Sequence, residues 1–255
     1  MKTFSLPCTL PDLLLERSLS SSAGMSFLDN DGFIALTTTY TSLYRDAQDY
    51  ARSLLISGIE PNGINVVIAS FDYHYDHILL FWACIFGKDI LRYEKHRLII
   101  AIRLAGIPVC PIPTLHPEES QRKLFLGHLL ALFGKPIFVG KDDVIATIQS
   151  LVPSFETRSW TSLKSLALVE STTQPFIYPK FRPQCNDIVC FMLTSGSTGN
   201  SKAVGLRHSN FLSAVQGKIK HHASTHSSRF LNWIAFDHVA CVSEVHLQAL
   251  MANAW

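Results

Sequence analysis

The run Thr194-Ser195-Gly196-Ser197-Thr198-Gly199-Asn200-Ser201-Lys202 gathers hydroxyls, glycines and one lysine into a single short stretch. Glycines let backbone N–H groups turn toward one point and approach an anion closely. The hydroxyls of Thr194, Ser195, Ser197 and Thr198 add side-chain donors, and Lys202 adds a positive charge. Such a set suits a polyphosphate. It is not the Walker A arrangement, which needs Gly-Lys-Ser/Thr at a fixed offset from its first glycine; Ser201 stands at that offset from Gly196. No Gly-x-Gly-x-x-Gly dinucleotide fingerprint is present either. A Ser/Gly loop of this composition is also what a plain flexible connector looks like. But Thr-Ser-Gly-Ser-Thr-Gly-x-x-Lys specifies seven positions. At roughly 7% usage each, a chance match is on the order of 1 in 10⁸ per start site. The phosphate reading therefore stands.

The elements that must position this loop follow from periodicity. Asp187 to Leu193 is a strand-length apolar run that delivers the loop. Upstream, strand-length runs alternate with helix-period segments, the pattern of an α/β fold with a largely parallel sheet. Thr39-Tyr40-Thr41-Ser42-Leu43 opens a helix in which Leu43, Ala47, Ala51, Leu54 and Leu55 recur at helical spacing, ended by Gly58 and Pro61-Asn62-Gly63. Ile64 to Ala69 reads as a buried strand, Asp76 to Phe86 as a very apolar helix, and Val109 to Ile112 as a short strand. Glu118 to Phe133 reads as a helix with Leu124, Leu129, Leu132 and Phe133 on its apolar side, followed by a strand at Pro136 to Val139. Residues Glu170 to Pro183, rich in proline and hydroxyls, read as a linker.

Composition narrows the partners. The chain has 255 residues, 47% hydrophobic and 16% charged, enough apolar material for a sizeable core. A formal net charge of +2 without a basic run argues against nucleic acid or an anionic membrane surface. The apolar run Ile78 to Gly87 has about half the length a membrane-spanning helix needs. Pro7, Pro11 and Asp12 interrupt the start, so no secretory signal is expected and the chain reads as a cytoplasmic protein. None of Cys8, Cys84, Cys110, Cys185, Cys190 and Cys241 forms a Cys-x-x-Cys pair, so all six are expected to be buried free thiols. His221, His222 and His226 sit at the polar end of a helix starting near Asn210, without a carboxylate or cysteine at ligand spacing. They read as a solvated face, and His238, Glu244 and His246 do not make His-Glu-x-x-His; no metal-binding set is assigned.

The phosphate loop closely resembles the signature of the adenylate-forming superfamily: acyl-CoA synthetases, luciferases and nonribosomal peptide synthetase adenylation domains. Thr39-Tyr40-Thr41-Ser42-Leu43 resembles that family's first core motif, and Leu104-Ala105-Gly106-Ile107-Pro108-Val109-Cys110-Pro111 its second. Lys202-Ala203-Val204-Gly205-Leu206-Arg207-His208-Ser209-Asn210 is similar to the strand and helix start that follow the loop. Leu231-Asn232-Trp233-Ile234-Ala235-Phe236-Asp237-His238-Val239 looks most like fungal synthetase-like proteins of secondary metabolism. The resemblance implies an α/β fold: the N-terminal part of the large adenylate-forming domain, with mostly parallel sheets flanked by helices. Residues 1–183 would form its first part and residues 184–255 the phosphate-loop segment of the same domain.

By the same resemblance, a carboxylic acid attacks the α-phosphate of ATP, usually with Mg²⁺. Pyrophosphate leaves, and the acyl-adenylate passes its acyl group to a thiol on coenzyme A or a carrier protein's pantetheine arm. Thr194, Ser195, Gly196, Ser197, Thr198, Gly199 and Lys202 would hold the phosphates, with Thr198 and Lys202 serving the reaction. Phe236, Asp237 and His238 would belong to the acyl pocket, although His238 departs from the amino-acid-activating pattern. A helix-capping or surface role for Asp237 is the competing reading.

Two departures qualify the activity. No adenine-binding Tyr-x-x-Thr-Glu-like segment, ribose aspartate or catalytic-lysine domain occurs before Trp255, which leads to the expectation of an incomplete portion that is inactive alone. A non-catalytic remnant or phosphate-binding module is the rival. Gly87 to Leu104 also interrupts a stretch that is contiguous in the family. It reads as an extra surface helix or, preferably, as a translated intron, because Gly87-Lys88 can be encoded across a splice-donor sequence.

Overall fold

The alternation of apolar runs and helical periods resolves into a three-layer arrangement of helix, sheet and helix. The computed structural model describes residues 7–20, 22–59, 66–86, 106–170, 183–194 and 201–254. Helix α1 (Leu10–Ser20) precedes a hairpin of β1 (Gly24–Leu28) and β2 (Ile34–Thr39), and then α2 (Tyr40–Ile56). The chain continues through β3 (Val67–Ala69), α3 (His74–Phe86), β4 (Val109–Pro111), α4 (Glu119–Phe133), β5 (Ile137–Gly140) and α5 (Asp142–Leu151). There follow β6 (Glu156–Ser159), α6 (Trp160–Glu170), β7 (Ile188–Thr194), β8 (Lys202–Arg207), α7 (His208–His222), a π-helical turn (Cys241–His246) and α8 (Leu247–Ala252). Helix α2 starts where its sequence says it should: the Thr39 hydroxyl accepts the Ser42 backbone N–H at 3.1 Å, an N-cap.

Among the described residues the main sheet has six strands in the order β6-β5-β3-β4-β7-β8. Its pairs are parallel except the last, β7 with β8, which is antiparallel. Successive residues of the parallel strands point to opposite faces. Val67, Val109 and Val139 therefore join the core beneath α2, α3 and α7, whereas Ile68, Cys110 and Phe138 join the core beneath α4 and α5. Every residue of α3 from Asp76 to Phe86 is buried, as expected of a helix that is apolar on all sides.

On α4 the buried residues are Leu126 and Leu129, while Leu124 is 71% exposed. The apolar side of this helix is thus set by Leu126, Leu129 and Phe133, and Leu124 and Leu132 fall off it because their helical phase differs. The strand expected over Ile64 to Ala69 begins at Val67, residues 60–65 lying outside the described part. The segment Gly87 to Leu104 and most of the linker from Glu170 to Pro183 also lie outside it. The described chain pauses at Phe86 and resumes at Gly106 against the same helix end, where the Ile107 N–H donates to the Cys84 carbonyl at 3.2 Å. A Cβ on Gly106 would lie 3.3 Å from the Ile85 carbonyl oxygen, so a glycine suits this close approach.

The expectation for the cysteines needs correction. Cys84, Cys110, Cys190 and Cys241 are free and buried, but Cys8 and Cys185 are joined in a disulfide. A spacing of 177 residues hides such a pair from any local reading. The same corner is held by the Leu10 N–H donating to His208 Nδ1 at 3.2 Å and the Ser209 N–H donating to the Cys185 carbonyl at 2.9 Å. At the other end of α1, Arg17 donates to the carbonyls of Leu250 and Met251, satisfying the last turn of α8.

Candidate phosphate and acyl site

The candidate phosphate loop is the connection of the antiparallel hairpin β7–β8, at the carboxyl end of β7. Thr194 and Lys202 face each other as the final pair of that ladder, and the Thr194 hydroxyl donates to the Lys202 carbonyl at 3.3 Å. Both side chains are exposed. Lys202 has no ion pair among the described residues, so its amine remains available to an anion. Ser195, Gly196, Ser197, Thr198 and Gly199 lie outside the described residues. The Arg207 N–H donates to Asn210 Oδ1 at 2.9 Å, which fixes the turn from β8 into α7.

The acyl-pocket candidates occupy a different part of the same structure. Phe236 is 1% exposed and packs among Phe81, His77 and His246, with the His77 ring stacked on it at 5.8 Å. Asp237 is half-buried and sits close enough to His74 for its charge to oppose the effect of burial, which lowers the His74 imidazole below its ordinary range. His238 is exposed, and its Nδ1 accepts the Ala240 N–H at 3.1 Å, a local turn contact. Among the described residues no hydrogen bond or ion pair links Asp237 to Thr194 or Lys202.

Asn232 organises the segment that carries Asp237, a role its local sequence does not announce. Its side-chain amide donates to the Ile234 carbonyl at 2.9 Å and to the Cys241 thiol at 3.1 Å, while Oδ1 accepts the Ile234 N–H at 3.0 Å. The segment then enters the π-helical turn Cys241–His246, a geometry often found at functional positions. Burial pushes the Cys241 thiol up to about 11 and Cys110 up to about 12, and it raises Cys84 and Cys190 as well. None of the free thiols is therefore poised as a nucleophile.

A concave region of about 250 Å³ lies beyond the carboxyl ends of β3, β4 and β5, lined in part by Ser70, Asp72, Thr114, Arg122, Lys141 and Thr147. Lys141 is already paired with Asp72 there. His221, His222 and His226 are exposed, and among the described residues no group of three His, Cys, Asp or Glu could hold a metal ion. No helix among the described residues is long and apolar enough to cross a membrane.

The profile of the family described as AMP-binding enzyme matches residues 98–254, more than half of the chain. The chain belongs to that family. It is 33% identical over 225 residues to nonribosomal peptide synthetase acyN of Ascocoryne sarcoides, a match covering 87% of this chain and 21% of that protein. It is 32% identical over 251 residues to microperfuranone synthase of Emericella nidulans, covering 94% of this chain and 24% of that protein. The chain thus spans about a fifth to a quarter of the length of these relatives. Among solved structures, McyG A-PCP complexed with phenylalanyl-adenylate superposes with a TM-score of 0.77 at 23% identity. That match covers 96% of this chain and 35% of that chain. The α/β fold expected from the sequence is the observed one, that of the N-terminal subdomain of adenylate-forming enzymes.

Proposed function

We propose that this chain supplies the phosphate-gripping part of an ATP-dependent ligase that activates a carboxylic acid as its acyl-adenylate. The acyl group would then pass to a thiol, on coenzyme A or on a carrier protein's pantetheine arm. The observation that carries the proposal is the hairpin neck. Thr194 and Lys202 pair at the end of β7–β8, and the residues between them are those of a phosphate cradle. An exposed lysine without an ion pair among the described residues and a set of hydroxyl and glycine donors suit a polyphosphate. No carboxylate lies in the loop, so Mg²⁺ would accompany the nucleotide rather than be held there by the chain.

In this reading Ser195, Gly196, Ser197, Thr198 and Gly199 orient the β- and γ-phosphates through backbone and hydroxyl donors. Thr198 and Lys202 oppose the charge that develops as pyrophosphate departs. Asp237 and His238 would face the acid, with Phe236 backing them from the core. Residues 1–183 and 184–255 would act as parts of one domain, consistent with β7 pairing beside β4 in a shared sheet, and 87–104 would be an insertion. The need for ATP and a thiol acceptor fits a cytoplasmic setting.

The 255 residues contain no adenine- or ribose-binding motif, so the complete reaction would require further sequence. The test is a chimera in which the chain is continued by the following segment of a relative such as microperfuranone synthase. It should exchange labelled pyrophosphate into ATP in a carboxylate-dependent way, and Thr198→Ala or Lys202→Ala should lower turnover more than it raises KM for ATP. A chimera that folds and binds ATP but never exchanges would favour the rival reading, a phosphate-binding module without turnover.

A further inference from the structure

The two ends of the phosphate loop are tied to one helix. On the entering side, Phe133 of α4 packs edge-on against Phe191 of β7 at 5.3 Å, and Leu193 joins the same apolar cluster. On the leaving side, His128 of α4 places Nε2 2.6 Å from the carbonyl oxygen of Ser201, the residue before Lys202. A carbonyl can only accept, so Nε2 carries the hydrogen of this bond. Helix α4 is itself seated by the buried Leu126 and Leu129, which gives His128 a fixed base.

We propose that His128 is a positioning residue for Lys202, holding the exit of the phosphate loop so that the lysine amine meets the phosphates. The inference rests on reading residues 194–202 as a phosphate site and adds a residue to it. The physical reason is leverage. Lys202 follows Ser201 directly, so freeing the Ser201 carbonyl lets the backbone that carries the amine shift, and a shift of about 1 Å is enough to spoil a preorganised contact. The Thr194–Lys202 hydrogen bond closes the neck from within, and His128 restrains it from outside.

The experiment titrates inorganic pyrophosphate into the 255-residue chain by calorimetry. The proteins compared are wild type, His128→Ala, His128→Gln, His128→Asn, Lys202→Ala and the His128→Ala/Lys202→Ala double variant. Loss of one hydrogen bond should weaken binding about fivefold in His128→Ala. Gln places an amide N–H near the position of Nε2 and should stay within about twofold of wild type. Asn reaches only the position of Nδ1 and should behave like Ala, and it serves as the donor-free variant if His128→Ala does not fold. The deciding readout is the double-mutant cycle: without Lys202, removing His128 should cost nothing further. The same fivefold loss in the Lys202→Ala background would mean a merely structural role and would overturn the proposal. So would a Gln variant as weak as Ala. If Lys202→Ala weakens binding while His128→Ala does not, His128 alone is misassigned. If Lys202→Ala changes nothing, the phosphate reading falls and the His128 proposal falls with it.

Discussion

Trp82 donates its indole N–H to Nε2 of His246 at 2.8 Å, joining two residues 164 positions apart inside the core. A neutral ring that accepts at Nε2 carries its proton on Nδ1, an atom without a partner among the described residues. Nearby, His77 accepts the Phe71 N–H at 3.1 Å through its own Nε2. Burial lowers both imidazoles to about 4.

The folded state therefore binds fewer protons than the unfolded chain between about pH 6.5 and pH 4. The stabilisation from each ring is complete above about pH 6.5 and is lost as pH falls toward 4. Each ring should cost about 2 kcal/mol of stability between pH 7.5 and pH 5. Urea unfolding at the two pH values measures the loss. His246→Gln keeps an acceptor for Trp82 but cannot titrate, and it should remove roughly half of the dependence. An unchanged slope in that variant would exclude His246 as a source.

Nucleotide binding by the chain should be weak and indifferent to the base. The proposed phosphate loop lies within the 255 residues, but no adenine- or ribose-binding motif does. Calorimetry should give similar affinities for ATP and GTP, and Lys202→Ala should weaken both by about tenfold, as expected for a charge-assisted contact. Strong preference for ATP would mean that residues of this chain already contact adenine.

Pyrophosphate exchange by the 255 residues alone should not exceed background with fatty, aryl or amino acids. Exchange needs ATP and acid held together in one geometry, and a phosphate cradle supplies only part of it. Robust exchange by this chain would show that its residues already complete the site.

Arg17→Ala should lower stability by about 2 kcal/mol, measured by denaturant unfolding. The guanidinium donates to the Leu250 and Met251 carbonyls at 3.1 and 3.0 Å, beside the backbone cap that Asn253 and Ala254 give the Leu250 and Ala249 carbonyls, and its loss removes the Met251 carbonyl's side-chain donor. Lysine lacks the fork geometry and should restore only part of the loss. A variant as stable as wild type would mean that water replaces the cap without penalty.

Local signals in the sequence were reliable where the physics is local. The stretch Thr39 to Leu43 reads as a helix opening, and the structure starts α2 there with Thr39 as its N-cap. The apolar stretch from Asp76 to Phe86 becomes a buried helix because no face of it is polar enough for solvent. Helix α4 was legible as a helix but not in its rotation: Leu124 reads as core and is exposed, since Leu126, Leu129 and Phe133 already fill the side that meets the sheet. Short or weakly patterned elements, such as α1 and the β1–β2 hairpin, left little trace in the periodicity.

Chemistry and element type were thus set by contiguous residues. The loop Thr194 to Lys202 could be read as a phosphate site because all of its candidate donors lie within one short segment, and the strand before it is a single apolar run. Tertiary structure alone decided which groups support that loop. That β7 lies beside β4, that His208 caps α1, that Asn232 braces the Asp237 segment and that His128 reaches Ser201 from 73 residues away are consequences of packing. A polar residue on a helix or loop looks solvated in sequence, and only the approach of a distant backbone supplies the acceptor or donor that gives it a role.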